Sequence, residues 1–137
     1  MVRNILLAGL LLALLSVGLG AFGAHGLKQL VSADKVAIFE TGVRYQFMHA
    51  LALVLIAFFI SQQGNPYFQH RGLLAVASFF LMGVLLFSGS LYLLSLQPLC
   101  SFDYTHFIGP VTPIGGLFFM LGWGVWIRWA WRCKVDK

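Results

Sequence analysis

The sequence has few charged residues, and this shortage excludes an ordinary soluble domain. Of its 137 residues, 9% are charged and 60% are hydrophobic, whereas soluble domains carry roughly 25% charged residues. So few charges would leave large apolar patches open to water. Length and composition therefore predict one integral membrane domain, residues 1–137.

Cysteines and clustered metal ligands are also scarce. The two cysteines, Cys100 and Cys133, exclude a disulfide framework. The four histidines, at positions 25, 49, 70 and 106, lack the spacing of metal ligands, so we expect no metal and no cofactor.

Neither a nucleotide loop nor a nucleophile elbow is present, and we expect no enzyme. The net charge of +5 arises mainly beside the last apolar segment, so nucleic acid is not an expected partner.

What the chain has is long apolar segments. About 20 apolar residues cross a hydrocarbon core, and the predicted fold is an all-α bundle of four transmembrane helices, at about residues 5–24, 42–61, 73–96 and 113–131. The second helix should begin earlier, near Ala33 with Ser32 as N-cap, after a partly amphipathic outer loop. In the fourth, Thr112 is the predicted N-cap and Pro113 the first helical residue.

The distribution of basic residues predicts the orientation. The side holding both termini and the middle loop carries six basic residues, and the other side carries Lys28, Lys35 and Arg44. This excess predicts cytoplasmic termini and leaves Cys100 and Cys133 on opposite sides of the membrane. A competing interpretation of the first segment is a cleaved signal peptide, because it has a basic start, a leucine-rich stretch and small residues after it.

Polar side chains gather in the half of the predicted bundle that lies farther from the termini. We group them as a candidate polar pocket: His25, Glu40, Arg44, Gln46, His49, Ser88, Ser90, Tyr92 and Thr112. Polar groups at such depth commonly face the bundle interior and mark function.

Each of these residues also has a structural interpretation. Glu40 and Arg44 have the i, i+4 spacing of a helix-surface ion pair. His49 is either a proton site or a hydrogen-bonding partner of a neighbouring helix. His25 suits the C-terminal end of a helix.

Small residues are placed for close helix contact. Ser16, Gly20 and Ala24 recur every four residues on the first span, a spacing that lets helices approach each other. Gly115 and Gly116 open the fourth span, where packing is the ordinary interpretation and an anion site at the helix N-terminus is the alternative.

Four blocks of sequence resemble a known family. The chain is similar to the YgdD-like family of small bacterial inner-membrane proteins of unknown function (domain of unknown function 423). The blocks are residues 20–27 (GAFGAHGL), 41–46 (TGVRYQ) with His49 and residues 50–52 (ALA), 86–92 (LFSGSLY) and 112–116 (TPIGG). The resemblance implies a four-helix protein of the inner membrane that retains its first span, and it carries over no reaction.

These observations predict a non-enzymatic structural or accessory protein. We expect it to bind lipid or a partner protein through the candidate polar pocket, with the lipid bilayer, a second copy or another membrane protein as partners. The alternative is a small oligomeric transporter or channel, proton-linked through His49.

Overall fold

The computed structural model describes residues 1–62 and 70–132, and within them the chain forms helices and no strand. The elements are α1 (Val2–His25), α2 (Ala33–Ser61), α3 (His70–Gly83), a π-helical turn (Val84–Ser88), α4 (Gly89–Leu96), α5 (Thr105–Ile108) and α6 (Val111–Arg132), with 3-10 turns at Leu27–Gln29 and Gln97–Leu99. The predicted turn at Gly64, Asn65 and Pro66 lies outside the described residues, as does Cys133.

Four helical segments of the described chain are long and apolar enough to cross a membrane. They are Val2–Gln29, Ala33–Ser61, Arg71–Leu99 and Thr105–Arg132. The predicted all-helical fold with four spans is therefore confirmed. The cytoplasmic orientation of the termini stays a prediction.

The second and third spans form the centre of the bundle. A buried core joins Leu53 and Ile56 of α2 to Val76 and Phe80 of α3 and to Phe119 of α6. The helices α1 and α6 lie outside, each with much of its apolar surface uncovered by protein. We call the end where α1 ends and α2 begins the distal end.

Glycines form the contact between the third span and α6. A side chain at Gly83 would overlap the Phe119 ring, and one at Gly122 would overlap the Phe80 ring. At Gly115 an added Cβ would meet the Phe87 backbone, with Cα only 2.7 Å away. Such small residues let the helix backbones approach each other closely.

The contact between α1 and α2 follows a stripe of small residues. Gly9, Ser16 and Gly23 are buried and recur every seven residues, the repeat of helices that cross at a shallow angle. An added Cβ at Gly9 would lie 2.9 Å from the Ala50 carbonyl oxygen. Gly20 flanks the stripe, with only Val43 near it, 3.7 Å from an added Cβ.

The starts of α2 and α6 differ in detail from the sequence prediction. Helix α2 begins after Ser32, as predicted, but the Ser32 side chain makes no capping hydrogen bond. Helix α6 begins at Val111, so Thr112 lies inside the first turn and is not the N-cap, and Pro113 is the third helical residue. Proline is tolerated there because the first N–H groups of a helix have no intrahelical partner.

Candidate functional site

The structure separates the nine residues of the candidate polar pocket into two groups. Six are buried or half-buried within the bundle: Gln46, His49, Ser88, Ser90, Tyr92 and Thr112. His25, Glu40 and Arg44 are exposed on the bundle surface. These three therefore do not line an interior pocket together with the other six.

His49 lies between α2 and α6 with both ring nitrogens occupied. Its Nδ1 is 2.8 Å from the Tyr45 carbonyl oxygen, and its Nε2 accepts a hydrogen bond from Trp123 Nε1 at 3.1 Å. The ring stacks on Phe119, with centroids 3.7 Å apart and planes inclined by 12°, and Phe80 meets it edge-on. The imidazole is therefore held on every side by the protein.

The partners of His49 determine which tautomer satisfies both contacts. The indole N–H of Trp123 is only a donor, so Nε2 must be unprotonated. The Tyr45 carbonyl is only an acceptor, so Nδ1 must carry the hydrogen. The neutral Nδ1–H imidazole makes both hydrogen bonds, whereas a proton added at Nε2 would break the bond from Trp123.

Gln46 connects three helices. Its Nε2 donates to the Leu12 carbonyl of α1 at 3.1 Å, and its Oε1 accepts from the Tyr92 hydroxyl of α4 at 3.0 Å. Ser16 Oγ donates to the same Leu12 carbonyl at 2.8 Å. A buried amide with both ends bonded fixes the register of α1 and α4 against α2.

Ser88, the last residue of the π-helical turn, and Ser90, two residues later, differ in their hydrogen-bond partners. Ser90 Oγ donates to the Phe87 carbonyl and lies 2.7 Å from Thr112 Oγ1, which joins α4 to α6. Ser88 Oγ is buried and has no hydrogen-bond partner among the described residues. π-Helical turns often occur at functional sites.

Glu40 and Arg44 line a groove between α1 and α2. This groove has a volume of about 450 Å³. Its lining consists of Ser16, Val17 and Gly20 on α1 and of Glu40, Val43, Arg44 and Phe47 on α2. We call it the α1–α2 groove. It is apolar along most of its length and carries its two charges near the distal end.

The expected ion pair between Glu40 and Arg44 is not formed. Both side chains are exposed, and neither makes an ion pair or a hydrogen bond with any residue of the described chain. The helical spacing permits such a pair. An exposed ion pair adds little stability, however, because ordering two long side chains costs entropy. The two charges therefore remain available to a ligand.

The loop between the third span and α5, at the distal end, contains Asp103, whose carboxyl has a perturbed pKa. Asp103 Oδ1 accepts a hydrogen bond from the Thr105 backbone N–H at 2.9 Å. Interactions with the side chain and the N–H of Thr105 lower the pKa of Asp103 because they stabilise its carboxylate form. On the facing element, Lys35 Nζ donates to the Leu94 carbonyl, which connects the start of α2 to α4.

Trp123 has a role inside the bundle that the sequence pattern does not indicate. Tryptophans in the last part of a span, such as Trp123, Trp126 and Trp129 in the sequence, are typical of an interfacial belt. In the structure, however, Trp123 is bonded to His49, and Trp126 packs against the core. Trp123 lies twelve residues after Val111, about 18 Å along the helix. A belt tryptophan lies near the end of a span. The depth of Trp123 along the helix is therefore the sequence feature that argues for an interior position.

The comparisons with known proteins agree on a family. The family described as "Protein of unknown function (DUF423)" matches residues 19–116. The chain is 39% identical to the UPF0382 membrane protein YwdK of Bacillus subtilis, over 86% of this chain and 88% of that protein. It is 40% identical to the UPF0382 membrane protein SSP2132 of Staphylococcus saprophyticus, over 86% and 88%. It is 36% identical to the UPF0382 inner membrane protein YgdD of Escherichia coli, over 86% and 82%.

These names describe location and no activity. No solved structure matches the chain. The names and the four spans identify a multi-pass membrane protein, as the sequence predicted. None of the three names mentions an enzymatic activity.

Proposed function

The chain belongs to the DUF423 family of membrane proteins of unknown function, and we propose that this member is a non-enzymatic accessory protein that binds a phospholipid in the α1–α2 groove. The observation that supports this proposal is a pair of charges, Glu40 and Arg44, which have no partner among the described residues and lie at the distal end of the apolar α1–α2 groove. An ionisable side chain on a membrane span is a candidate for binding a ligand or a lipid headgroup.

The depth of the charges supports a lipid as the occupant. The 29 residues of α2 extend for about 43 Å, whereas the hydrocarbon core is roughly 30 Å thick. If Ser61 marks the opposite boundary, the distal boundary falls near Gly42, between Glu40 and Arg44. Phospholipid headgroups occupy this level, and acyl chains would lie along Val17 and Phe47 below it.

The interior of the bundle supports a structural role for the remaining candidate residues. Gln46, His49 and Ser90 each bond groups on two helices or more, which is the usual role of polar side chains between membrane helices. A proton added at Nε2 of His49 would displace the hydrogen bond from Trp123, because the neutral Nδ1–H imidazole is the form that satisfies both partners. The geometry therefore favours lipid binding at the surface over proton-linked transport through the centre.

Retention of lipid by the purified chain tests this function. Leucine at Gly20 would fill the α1–α2 groove, since an added Cβ there meets only Val43, at 3.7 Å. Gly18 is the matched control because it has open space around it and lies on the same helix outside the groove. In native mass spectrometry we expect the wild-type chain and Gly18→Leu to retain a phospholipid that Gly20→Leu loses. Equal retention by both variants would contradict the proposal.

A further inference from the structure

We propose that the occupant of the α1–α2 groove is a phospholipid whose headgroup joins a phosphate to a primary ammonium, as in phosphatidylethanolamine. Arg44 would bind the phosphate and Glu40 the ammonium. This inference rests on the proposed function and assigns the ligand class of the same site.

The order of chemical groups along α2 carries the assignment. Counting about 1.5 Å per residue from Ala33, Glu40 lies roughly 10 Å, Arg44 roughly 16 Å and Phe47 roughly 21 Å from the distal end of α2. A phospholipid in that leaflet presents its ammonium outermost, then its phosphate, then its acyl chains. The groove therefore offers an acid, a base and an apolar wall in the order that the lipid requires.

The chemistry of the two side chains determines which headgroups fit. Guanidinium groups form two parallel charge-assisted hydrogen bonds with phosphate oxygens. A carboxylate accepts hydrogen bonds from a primary ammonium, whereas the quaternary ammonium of a choline headgroup has no N–H to donate. A glycerol headgroup has no cation at all, and its phosphate would approach Glu40 as a like charge. The site should thus prefer an ethanolamine headgroup over both.

The absence of an internal ion pair supports a ligand with both charges. A site for an anionic lipid would not need the acid, and a site for a cation would not need the arginine. Because Glu40 and Arg44 are a helical turn apart on one face and do not pair with each other among the described residues, a zwitterion can neutralise both at once. One zwitterionic headgroup would therefore make two charge-assisted contacts at the same site.

A competition experiment on the full chain tests the headgroup assignment. The purified protein in detergent is titrated with phosphatidylethanolamine, phosphatidylcholine and phosphatidylglycerol of identical acyl chains, and the retained lipid is counted by native mass spectrometry. We expect the wild-type chain to retain the ethanolamine lipid about tenfold better than either other lipid, the factor expected from one charge-assisted hydrogen bond.

Two variants and their controls identify the contacts. Glu40→Gln should abolish the preference for ethanolamine over choline, and Arg44→Gln should weaken retention of all three lipids, with Arg44→Lys restoring part of it. Asp34→Asn and Arg71→Gln remove an exposed charge outside the groove and should leave the preference intact.

The outcomes distinguish the two proposals. Equal retention of the three lipids, still lost in Gly20→Leu, would overturn the headgroup assignment and leave lipid binding standing. An unchanged preference in Glu40→Gln would also overturn the assignment. No retained lipid, or a dimer cross-linked through Val17 and Phe47 in place of lipid, would overturn both proposals.

Discussion

Trp123 of α6 donates a hydrogen bond from its indole nitrogen to Nε2 of His49 on α2, across 3.1 Å. The two residues are separated by 74 positions in the chain. Their contact makes the most conspicuous titratable residue of the interior a structural connection between two spans. It also leaves the surface charges of the α1–α2 groove as the candidates for ligand binding.

The first prediction concerns the state of His49. Because Trp123 supplies a donor and the Tyr45 carbonyl an acceptor, the imidazole should be neutral with its hydrogen on Nδ1. Nitrogen NMR of the histidine side chains in lipid bilayers distinguishes the two tautomers and the cation. Trp123→Phe serves as the comparison, since it frees Nε2 and should change the His49 signal. An Nε2–H tautomer in the wild-type chain would contradict the structure.

Gln46→Leu should destabilise the bundle by about 1–2 kcal/mol, because it removes two hydrogen bonds between membrane helices, each worth about 0.6 kcal/mol or more. The substitution leaves the Tyr92 hydroxyl without its acceptor and removes a contact with the Leu12 carbonyl. Reversible unfolding in mixed detergent micelles measures the loss. Tyr92→Phe should cost less in the Gln46→Leu background than in the wild-type chain, and equal costs would mean that the two side chains are not coupled.

A pair of adjacent glycines gives a steric prediction. In Gly115→Ala the new methyl group meets the backbone of Phe87 and Leu86, which cannot move aside as a side chain can, so we expect a loss of about 1–3 kcal/mol. In Gly116→Ala the nearest atom is a Phe87 ring carbon at 3.8 Å, and the gain in helix propensity should make the change neutral or stabilising. The same unfolding measurement compares the two, and similar effects would show that α6 does not pack on the third span at Gly115.

The stability of the loop at Asp103 should depend on pH in the acid range. Its pKa is lowered by Thr105, so its contribution to stability is present above the unfolded value of about 3.9 and is lost as the pH falls through the lowered folded value. NMR of the Thr105 amide in an acid titration should give a midpoint below that of an ordinary aspartate. Asp103→Asn should abolish the transition. A midpoint at or above about 3.9 would contradict the assignment.

The fold could be predicted from the sequence because its signals are local. An apolar span at about residues 42–61 and Ser32 as an N-cap predicted a helix from near Ala33 to Ser61, and the structure has α2 at Ala33–Ser61. The π-helical turn Val84–Ser88 was not predicted, since no proline or charge interrupts residues 73–96. The turn coincides with a tertiary contact, since the backbone of α6 at Gly115 lies directly against the backbone of Phe87.

The sequence identified the residues of the candidate site but not which of them lie together in the structure. Depth along the helices identified Gln46, His49 and Ser90, but periodicity does not determine which neighbouring helix each side chain meets. The spacing of Glu40 and Arg44 predicted an ion pair, whereas their exposure and their position on the α1–α2 groove depend on how α1 packs against α2. Gly20 was predicted as a packing residue, and its open side forms part of that groove.

The most direct measurement of the central claim is photo-cross-linking in bilayers. A phospholipid with a photoreactive acyl chain is incorporated with the full chain, and the cross-linked residues are identified by mass spectrometry. Lipid bound in the α1–α2 groove predicts cross-links concentrated at Val17, Val43 and Phe47, and their loss in Gly20→Leu but not in Gly18→Leu. Cross-links distributed evenly over the exposed residues of α1 and α6, such as Leu14 and Leu117, would contradict it.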